Sequence, residues 1–236
     1  MRVLDLFSGL GGWAEPFRDR GHEVITLDND PRFGCDITTD VRDFHPSTLP
    51  WRPDVVVASP PCERFSTLTF QRGYFRMIDG QPRAVTPEGH EAVGLVRRTW
   101  AIITDAHPTF YVIENPRALL RRLMPQMMTP THERRTVWYC HLGSPVAKPT
   151  DLWGRFPESF SLPPSCHNRR PEHPRGCCCL DHNPAPRGSR TGTQGEGSPG
   201  WTSWSGDRHD PDRSALRAKV PYRLGELLAI AAERDL

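Results

Sequence analysis

Short apolar runs that end in turn or acidic residues constrain the fold of this chain more than any other feature. Three of them, RVLDLF, HEVITLD and PDVVVASPP, lie within the first 61 residues. Continuous apolar runs of this length are typical of parallel strands that helices cover on both faces. We therefore expect a buried, mainly parallel sheet at the centre of the molecule.

Between the strands, apolar residues recur at the spacing of a helix. A helix is predicted over 12–20 and a second over 87–106, and a last one is predicted over 221–233. Two further strands are expected at TFYVIEN and TVWYCHL. This order predicts an α/β fold with a doubly wound sheet, in which ligands bind at the carboxyl ends of the strands.

Proline and glycine divide the chain into three parts. Ten of the 25 prolines lie between Gly143 and Gly206, where neither helical nor strand periodicity persists for long. We predict an α/β domain over 1–142, an irregular insert over 143–213, and a C-terminal helical segment over 214–236 that completes the first domain.

Charge and hydropathy bear on location and partners. No stretch approaches the roughly 18 apolar residues of a membrane span, and the strand-like start, with Asp5 inside it, does not fit a secretory signal. We therefore expect a cytoplasmic monomer with no membrane partner. The net charge is +2, and all the basic residues except Lys148 and Lys219 are arginine. Arginine suits phosphate contacts, although genomic base composition would produce the same bias.

A glycine-rich turn, SGLGG, follows the first strand and opens the first predicted helix. Glycines let the backbone approach a ligand, and the N-terminus of a helix offers free N–H groups. Asp28 lies 19 residues after Gly9, which satisfies the dinucleotide pattern. We expect a nucleoside cofactor, with Asp28 on its ribose hydroxyls, and a nicotinamide or flavin coenzyme remains open at this point. A glycine-rich turn without a ligand is the alternative.

The next two strand ends carry reactive side chains. Cys62 directly follows two prolines, so we expect it on a stiff turn, and Glu114 ends the adjacent strand. A thiol nucleophile and an acid beside a nucleoside pocket suit attack on an electron-poor pyrimidine ring. The alternatives are a buried structural thiol for Cys62 and a helix cap for Glu114.

The three strand-end motifs DLFSGLGG, SPPC and ENP together resemble those of the DNA cytosine-5 methyltransferases. The resemblance covers about residues 1–142, with a weaker echo at 217–232, and the short length and the run APRGSRTGTQG resemble the phage-borne branch. It implies a Rossmann-like methyltransferase that transfers a methyl group from S-adenosylmethionine to carbon 5 of cytosine in DNA. The target base must be flipped out or single-stranded. A phage-encoded enzyme would act in the host cytoplasm.

The resemblance also implies individual roles. Cys62 matches the nucleophile that adds to carbon 6, and Glu114 matches the acid on the cytosine edge. Arg134 matches the first arginine of the family's Gln-x-Arg-x-Arg motif, and Arg135 is a candidate substitute for the second. The cofactor pocket would be lined by Phe7, Ser8, Gly9, Gly11, Asp28 at the ribose, Asp40 and Val41 at the adenine, and Pro60 near the methionyl end.

The chain departs from the family pattern near its C-terminus. The family's Gly-Asn-Ser-Val-Pro corresponds to residues 217–221, so Lys219 is a new cation beside the reactive end of the donor. Lys219 either points outward or pairs with a carboxylate carried by the donor. In the second case the cofactor is a carboxylated S-adenosylmethionine and the product is 5-carboxymethylcytosine.

The predicted insert is rich in metal-binding residue types and in arginine. We expect zinc ligands among Cys166, His173, Cys177, Cys179 and His182, without choosing four of them, because their spacing fits no standard finger. A metal-free loop is the alternative. Residues 164–192 carry a charge excess of +3, which predicts that the insert contacts DNA in place of a target-recognition domain.

Other functions stay open on the sequence alone. A nicotinamide-dependent oxidoreductase would leave Cys62 and Glu114 without a role. An enzyme of the same fold could act on free nucleotides or RNA, and a catalytically inactive, zinc-containing protein could simply bind DNA.

Metal analysis of the purified protein tests the zinc prediction. We expect about one zinc per chain, and we expect chelation to lower the melting temperature because the metal's binding free energy contributes to folding. Metal-free protein with an unchanged melting temperature would show that the cysteines are incidental.

Overall fold

The computed structural model describes residues 1–65, 72–124, 132–144, 148–163 and 213–236. The five candidate zinc ligands all lie outside these ranges. Within them, no helix is long and apolar enough to cross a membrane.

The strands are short and mostly buried. Their bounds are β1 (Arg2–Leu6), β2 (Glu23–Asp28), β3 (Ile37–Thr38), β4 (Val55–Ala58), β5 (Phe75–Ile78), β6 (Gln81–Ala84), β7 (Phe110–Pro116), β8 (Glu133–Trp138) and β9 (Pro149–Arg155). Seven of them form one mixed sheet in the order β3-β2-β1-β4-β7-β9-β8. The first five of that order are parallel, whereas β9 is antiparallel to both β7 and β8. Strands β5 and β6 form a separate hairpin.

Helices cover the sheet on both sides. They are α1 (Ala14–Asp19), α2 (Pro87–Ala106), α3 (Leu120–Leu123), α4 (Arg213–Ala218) and α5 (Tyr222–Asp235). Helix α2 begins where the Thr86 side chain accepts a hydrogen bond from the Gly89 N–H, and it ends at His107 in the left-handed conformation. These caps explain why the predicted bounds of 87–106 match the observed helix.

Strand β4 shows how the two cores are divided. Because side chains alternate along a strand, Val56 and Ala58 join the apolar cluster that includes α2. Val55 and Val57 join the opposite cluster, which includes α1 and α5. The doubly wound Rossmann-like arrangement predicted from the sequence is confirmed.

Two sequence predictions need correction. Residues 149–155 were expected to be irregular, but they form β9, which lies between β7 and β8 in the main sheet. The strand expected at TVWYCHL begins earlier, at Glu133, and ends at Trp138; a 3-10 helix follows at Tyr139–Leu142. Strand β9 was missed because it is buried on both faces and contains Asp151, whose carboxylate is bound by the Arg121 guanidinium at 2.6–2.9 Å.

Strand β9 is packed closely against β7, which makes Gly154 a test of the sheet order. A Cβ at position 154 would lie 2.0 Å from the Tyr111 carbonyl oxygen. We expect Gly154→Ala to lower the free energy of unfolding by about 1–3 kcal/mol, because backbone atoms must shift. Urea denaturation measures this change.

A second glycine serves as the control. Gly94 lies inside α2, is exposed, and has open space where its Cβ would be. Gly94→Ala should therefore raise the stability by about 0.5–1 kcal/mol. Equal effects of the two substitutions would contradict the close β7–β9 contact.

Candidate functional site

The glycine-rich turn after β1 adopts the backbone that its sequence permits. Gly9 and Gly11 have φ values of +51° and +69°, and Phe7 between β1 and the turn has φ +58°. The left-handed region is costly for most side chains but open to glycine. The Gly9 N–H donates to Asp28 Oδ2 at 2.9 Å, so the turn is attached to the end of β2.

The C-terminal part of the chain packs against the same turn. A Cβ at Gly12 would lie 2.4 Å from the Val220 carbonyl oxygen, so only glycine allows this approach. Lys219, which directly precedes Val220, is half-exposed, and its ammonium group lies 3.1 Å from the Glu15 carboxylate on α1. The structure therefore brings Lys219 near the turn and gives it an acidic partner from this chain.

Asp5 lies beneath the turn and was not predicted as a site residue. It is fully buried, and the Ser8 hydroxyl donates to its Oδ2 at 2.7 Å, while Oδ1 has no partner. Burial raises the pKa of this carboxyl to about 7. An acid within an otherwise apolar strand was the signal that could have identified it.

The predicted ribose and adenine contacts lie at the ends of β2 and β3. Asp28 is nearly buried and also accepts a hydrogen bond from the Asp30 N–H at 3.0 Å. Asp40 is half-buried, and hydrogen bonds from Arg42 keep the pKa of its carboxyl low. Val41 is buried beside it. Acceptor carboxylates next to a left-handed glycine turn fit the hydroxyls and amines of a nucleoside.

Cys62 is held on the turn that follows β4. Pro60 is buried, and its carbonyl oxygen accepts a hydrogen bond from Asn115 Nδ2 at 2.9 Å. The Trp13 indole N–H donates to the Ser59 hydroxyl at 3.0 Å. A 3-10 turn, Glu63–Phe65, begins directly after the cysteine. These contacts fix the thiol at the carboxyl end of β4, as the sequence predicts.

Glu114 lies at the end of the adjacent strand β7 and is 3% exposed. The Tyr139 hydroxyl donates to Glu114 Oε1 at 2.7 Å, and Lys148 Nζ lies 3.6 Å from the same oxygen. The Lys148 ammonium group also lies 4.7 Å from the centroid of the Tyr139 ring. Neither Tyr139 nor Lys148 was predicted, because both were assigned to the wrong kind of segment.

Opposing charges act on the Cys62 thiol. Burial raises its pKa most, and the carboxylates of Glu114 and Glu63 raise it further, whereas the Lys148 ammonium group lowers it. The pKa of Tyr139 is raised well above its ordinary value by burial and by Glu114. The tyrosine therefore remains protonated and acts as a donor.

The arginines of β8 do not contact Glu114. Arg134 is exposed and pairs across the sheet with Trp153, whose side chain lies in the α2-side core. Arg135 shares the row of Leu152 and Glu114. Its guanidinium, however, stacks on Phe156 and donates to the Phe160 carbonyl.

No group of three or more metal-binding side chains occurs in the part of the chain that the structure describes. The zinc prediction concerns Cys166, His173, Cys177, Cys179 and His182, which lie outside that part.

Comparison with known proteins identifies relatives of the N-terminal half. A family model described as C-5 cytosine-specific DNA methylase matches residues 1–124. A protein of Frog virus 3 (isolate Goorha), named "Probable DNA (cytosine-5)-methyltransferase", is 34% identical over 123 residues. That match covers 49% of this chain and 54% of the viral protein, so the chain spans about half of this relative's length.

Solved structures give weaker similarities. The Entamoeba histolytica methyltransferase EhMeth has a TM-score of 0.47 and 13% identity, covering 72% of this chain and 57% of that one. The S. pombe Dnmt2 methyltransferase has a TM-score of 0.44 and 13% identity, covering 66% and 50%.

The raised pKa of Asp5 predicts a pH dependence of stability. Because the folded state binds the Asp5 proton more tightly than the unfolded state, the free energy of unfolding should fall as pH rises from about 4 to about 7. Asp5→Asn should remove up to about 4 kcal/mol of that fall. Urea denaturation between pH 4.5 and 8.5 measures the slope.

An exposed carboxylate provides the comparison for this slope. Asp105 on α2 has a side chain that is 48% exposed, so Asp105→Asn should follow the wild-type curve. Parallel curves for wild type and Asp5→Asn would show that Asp5 is ionised in the folded protein.

Proposed function

Since this chain belongs to the C-5 cytosine-specific DNA methylase family, we propose that it transfers a methyl group from S-adenosylmethionine to carbon 5 of cytosine in DNA. One observation carries the proposal: Cys62 and Glu114 end the adjacent parallel strands β4 and β7, beside the glycine-rich turn that follows β1. A nucleophile, an acid and a nucleoside pocket thus occupy one edge of the sheet.

Residues that end or follow the first four strands would bind the cofactor. S-adenosylmethionine, when bound, supplies the methyl group as an activated carbon on a sulfonium. We propose that Asp28 accepts hydrogen bonds from the ribose, since its carboxylate is already oriented by the Gly9 N–H. The remaining lining would come from Phe7, Ser8, Gly9, Gly11, Asp40, Val41 and Pro60.

Covalent addition makes carbon 5 nucleophilic. The Cys62 thiolate forms a bond from Sγ to carbon 6 of the flipped base, and the electron pair of the 5,6 double bond moves to carbon 5 and into the ring. Cytosine N3 takes a proton from Glu114 as that charge develops. Carbon 5 would then bond to the methyl carbon of the donor, while the bond from that carbon to the sulfonium sulfur would break, leave its electron pair on sulfur and release the donor as a neutral thioether.

Release restores both groups. The proton on carbon 5 leaves to solvent or a base, the 5,6 double bond re-forms, and the bond from carbon 6 to Sγ breaks to return the thiolate. Glu114 recovers its proton from N3. In the net reaction the hydrogen on carbon 5 is replaced by a methyl group and one proton is released.

Glu114 is suited to this exchange by its contacts. Its side chain is almost fully removed from water, and among the described residues Tyr139 and Lys148 both contact Oε1. Oε2 is therefore the oxygen that we assign to the cytosine edge. Arg134 as a second substrate contact remains a proposal, and its exposure suits the DNA backbone better than a buried base.

A carboxylated donor is the alternative at the cofactor end. Lys219 would bind the donor's carboxylate only after leaving Glu15, since the two side chains are already paired. Competition between plain and carboxylated S-adenosylmethionine, with mass spectrometry of the product nucleoside, decides between the donors.

The insert is proposed to contact DNA and to bind zinc through its cysteine and histidine residues.

Mechanism-based trapping tests the proposed function. In the presence of S-adenosylmethionine, DNA containing 5-fluorocytosine should form a covalent adduct with the wild-type protein, because after methyl transfer the fluorine on carbon 5 blocks the final elimination. Cys62→Ser should form no adduct and should lose at least about 100-fold in turnover, since a serine hydroxyl ionises far less readily. Cofactor binding should survive.

Another thiol supplies the control. Cys35 is half-buried in the segment between β2 and β3 and is not among the residues assigned to the cytosine, so Cys35→Ser should keep both the adduct and the turnover. Turnover by Cys62→Ser above a few per cent of wild type, or an adduct on another residue, would remove Cys62 from its role.

A further inference from the structure

Lys148 is a cation at the reacting end of the site with no role in the steps derived above. It directly precedes β9, so the antiparallel direction of β9 places it at the carboxyl end of β7. Its side chain is 18% exposed, which is low for lysine. It belongs to a group of three with Glu114 and Tyr139.

The backbone holds this group in place. The Tyr139 N–H donates to the Lys148 carbonyl oxygen at 3.0 Å, next to the register pair Trp138–Pro149 of β8 and β9. The Tyr139 side chain then reaches back to Glu114. Each member of the group contacts the other two, so the position of the ammonium group is defined from two sides.

Stability does not explain a buried charge pair at this position. Desolvation of a buried ion pair costs about as much as the attraction returns, and apolar residues of similar size often serve as well. A lysine at this strand end, in contact with Glu114 and near the Cys62 turn, is better explained by a role in the reaction at that site.

We propose that Lys148 is a positioning residue for the methyl transfer: its ammonium group, 3.6 Å from Glu114 Oε1 and 4.7 Å from the centroid of the Tyr139 ring, holds the carboxyl group in place and puts a positive charge beside the adjacent strand ends that carry Glu114 and Cys62. This inference rests on the proposed function. The ammonium group would also stabilise the negative charge that the ring gains when Sγ adds to carbon 6.

The charges around Cys62 make this role specific. Glu114 and Glu63 both raise the pKa of the thiol, and Lys148 is the cation that lowers it. Arg135 is directed to Phe156 and Phe160, and Arg134 lies on the other face of the sheet. Removing Lys148 would remove this positive charge from the surroundings of the thiol.

Alkylation of Cys62 tests the proposal without DNA or cofactor. The rate of iodoacetamide modification of the Cys62 peptide is followed by mass spectrometry from pH 6 to 10. We expect Lys148→Gln to slow modification about tenfold at neutral pH, where the thiolate is the minor form, as an upward shift of about one pH unit in the thiol pKa would. Lys148→Arg should restore the wild-type profile, because it restores the charge.

Two further variants make the result interpretable. Arg223→Gln removes an exposed cation on α5 that pairs with Glu226, and its alkylation profile should match wild type. Lys148→Met keeps the length of the side chain and replaces Lys148→Gln if that variant does not fold. A folded, charge-neutral Lys148 variant with the wild-type profile would overturn the proposal.

Turnover separates this inference from the proposed function. The neutral variants should lose kcat by about tenfold with little change in KM for DNA, and Lys148→Arg should recover it. A shifted alkylation profile in a protein whose wild type forms no 5-fluorocytosine adduct would refute the methyltransferase function while supporting the electrostatic role. An unshifted profile with normal trapping would refute only the role of Lys148.

Discussion

The hydrogen bond from Asn115 Nδ2 to the Pro60 carbonyl oxygen is the contact on which the proposed chemistry depends. It is buried, and it joins the end of β7 to the turn after β4. Neutral buried hydrogen bonds each contribute about 1 kcal/mol to the free energy of unfolding. This one also fixes the distance between β7 and the turn that carries Cys62. Without it, the turn that carries Cys62 would lose its side-chain attachment to β7, the strand that carries Glu114. A nucleophile and an acid must act on the same ring within a fraction of an ångström.

Local sequence was sufficient for some elements and not for others. The run Val55–Ala58 and the helix over 87–106 were predicted because apolar continuity and a threonine cap are local signals. Strand β9 was not, because its charge is neutralised by Arg121 from α3, a partner 30 residues away. Lys148 and Tyr139 were missed because the segments that carry them were predicted as an irregular insert and a strand. Cys62 and Glu114 were found from short motifs at strand ends.

Two of the buried acids, Asp5 and Glu114, show how one fold gives carboxyl groups different tasks. Burial is the largest influence on Asp5 and raises its pKa, although the Ser8 hydroxyl donates to its Oδ2. Glu114 is buried as deeply, yet it has a hydroxyl donor and an ammonium group on one oxygen. These contacts hold the Glu114 side chain in one orientation, which a carboxyl group that exchanges a proton with substrate requires.

The cofactor end and the base end of the site are connected through β1 and β4. Trp13 at the start of α1 donates to Ser59 directly before the Pro60 turn, so a displacement of the glycine-rich turn would also displace Cys62. Val220 approaches Gly12 on the other side of that turn, and α5 packs on α1 behind it. The segment of the chain farthest from Cys62 in sequence therefore supports the turn that positions it. A cofactor seated on that turn would stiffen the same contacts, which couples its binding to the placement of the nucleophile.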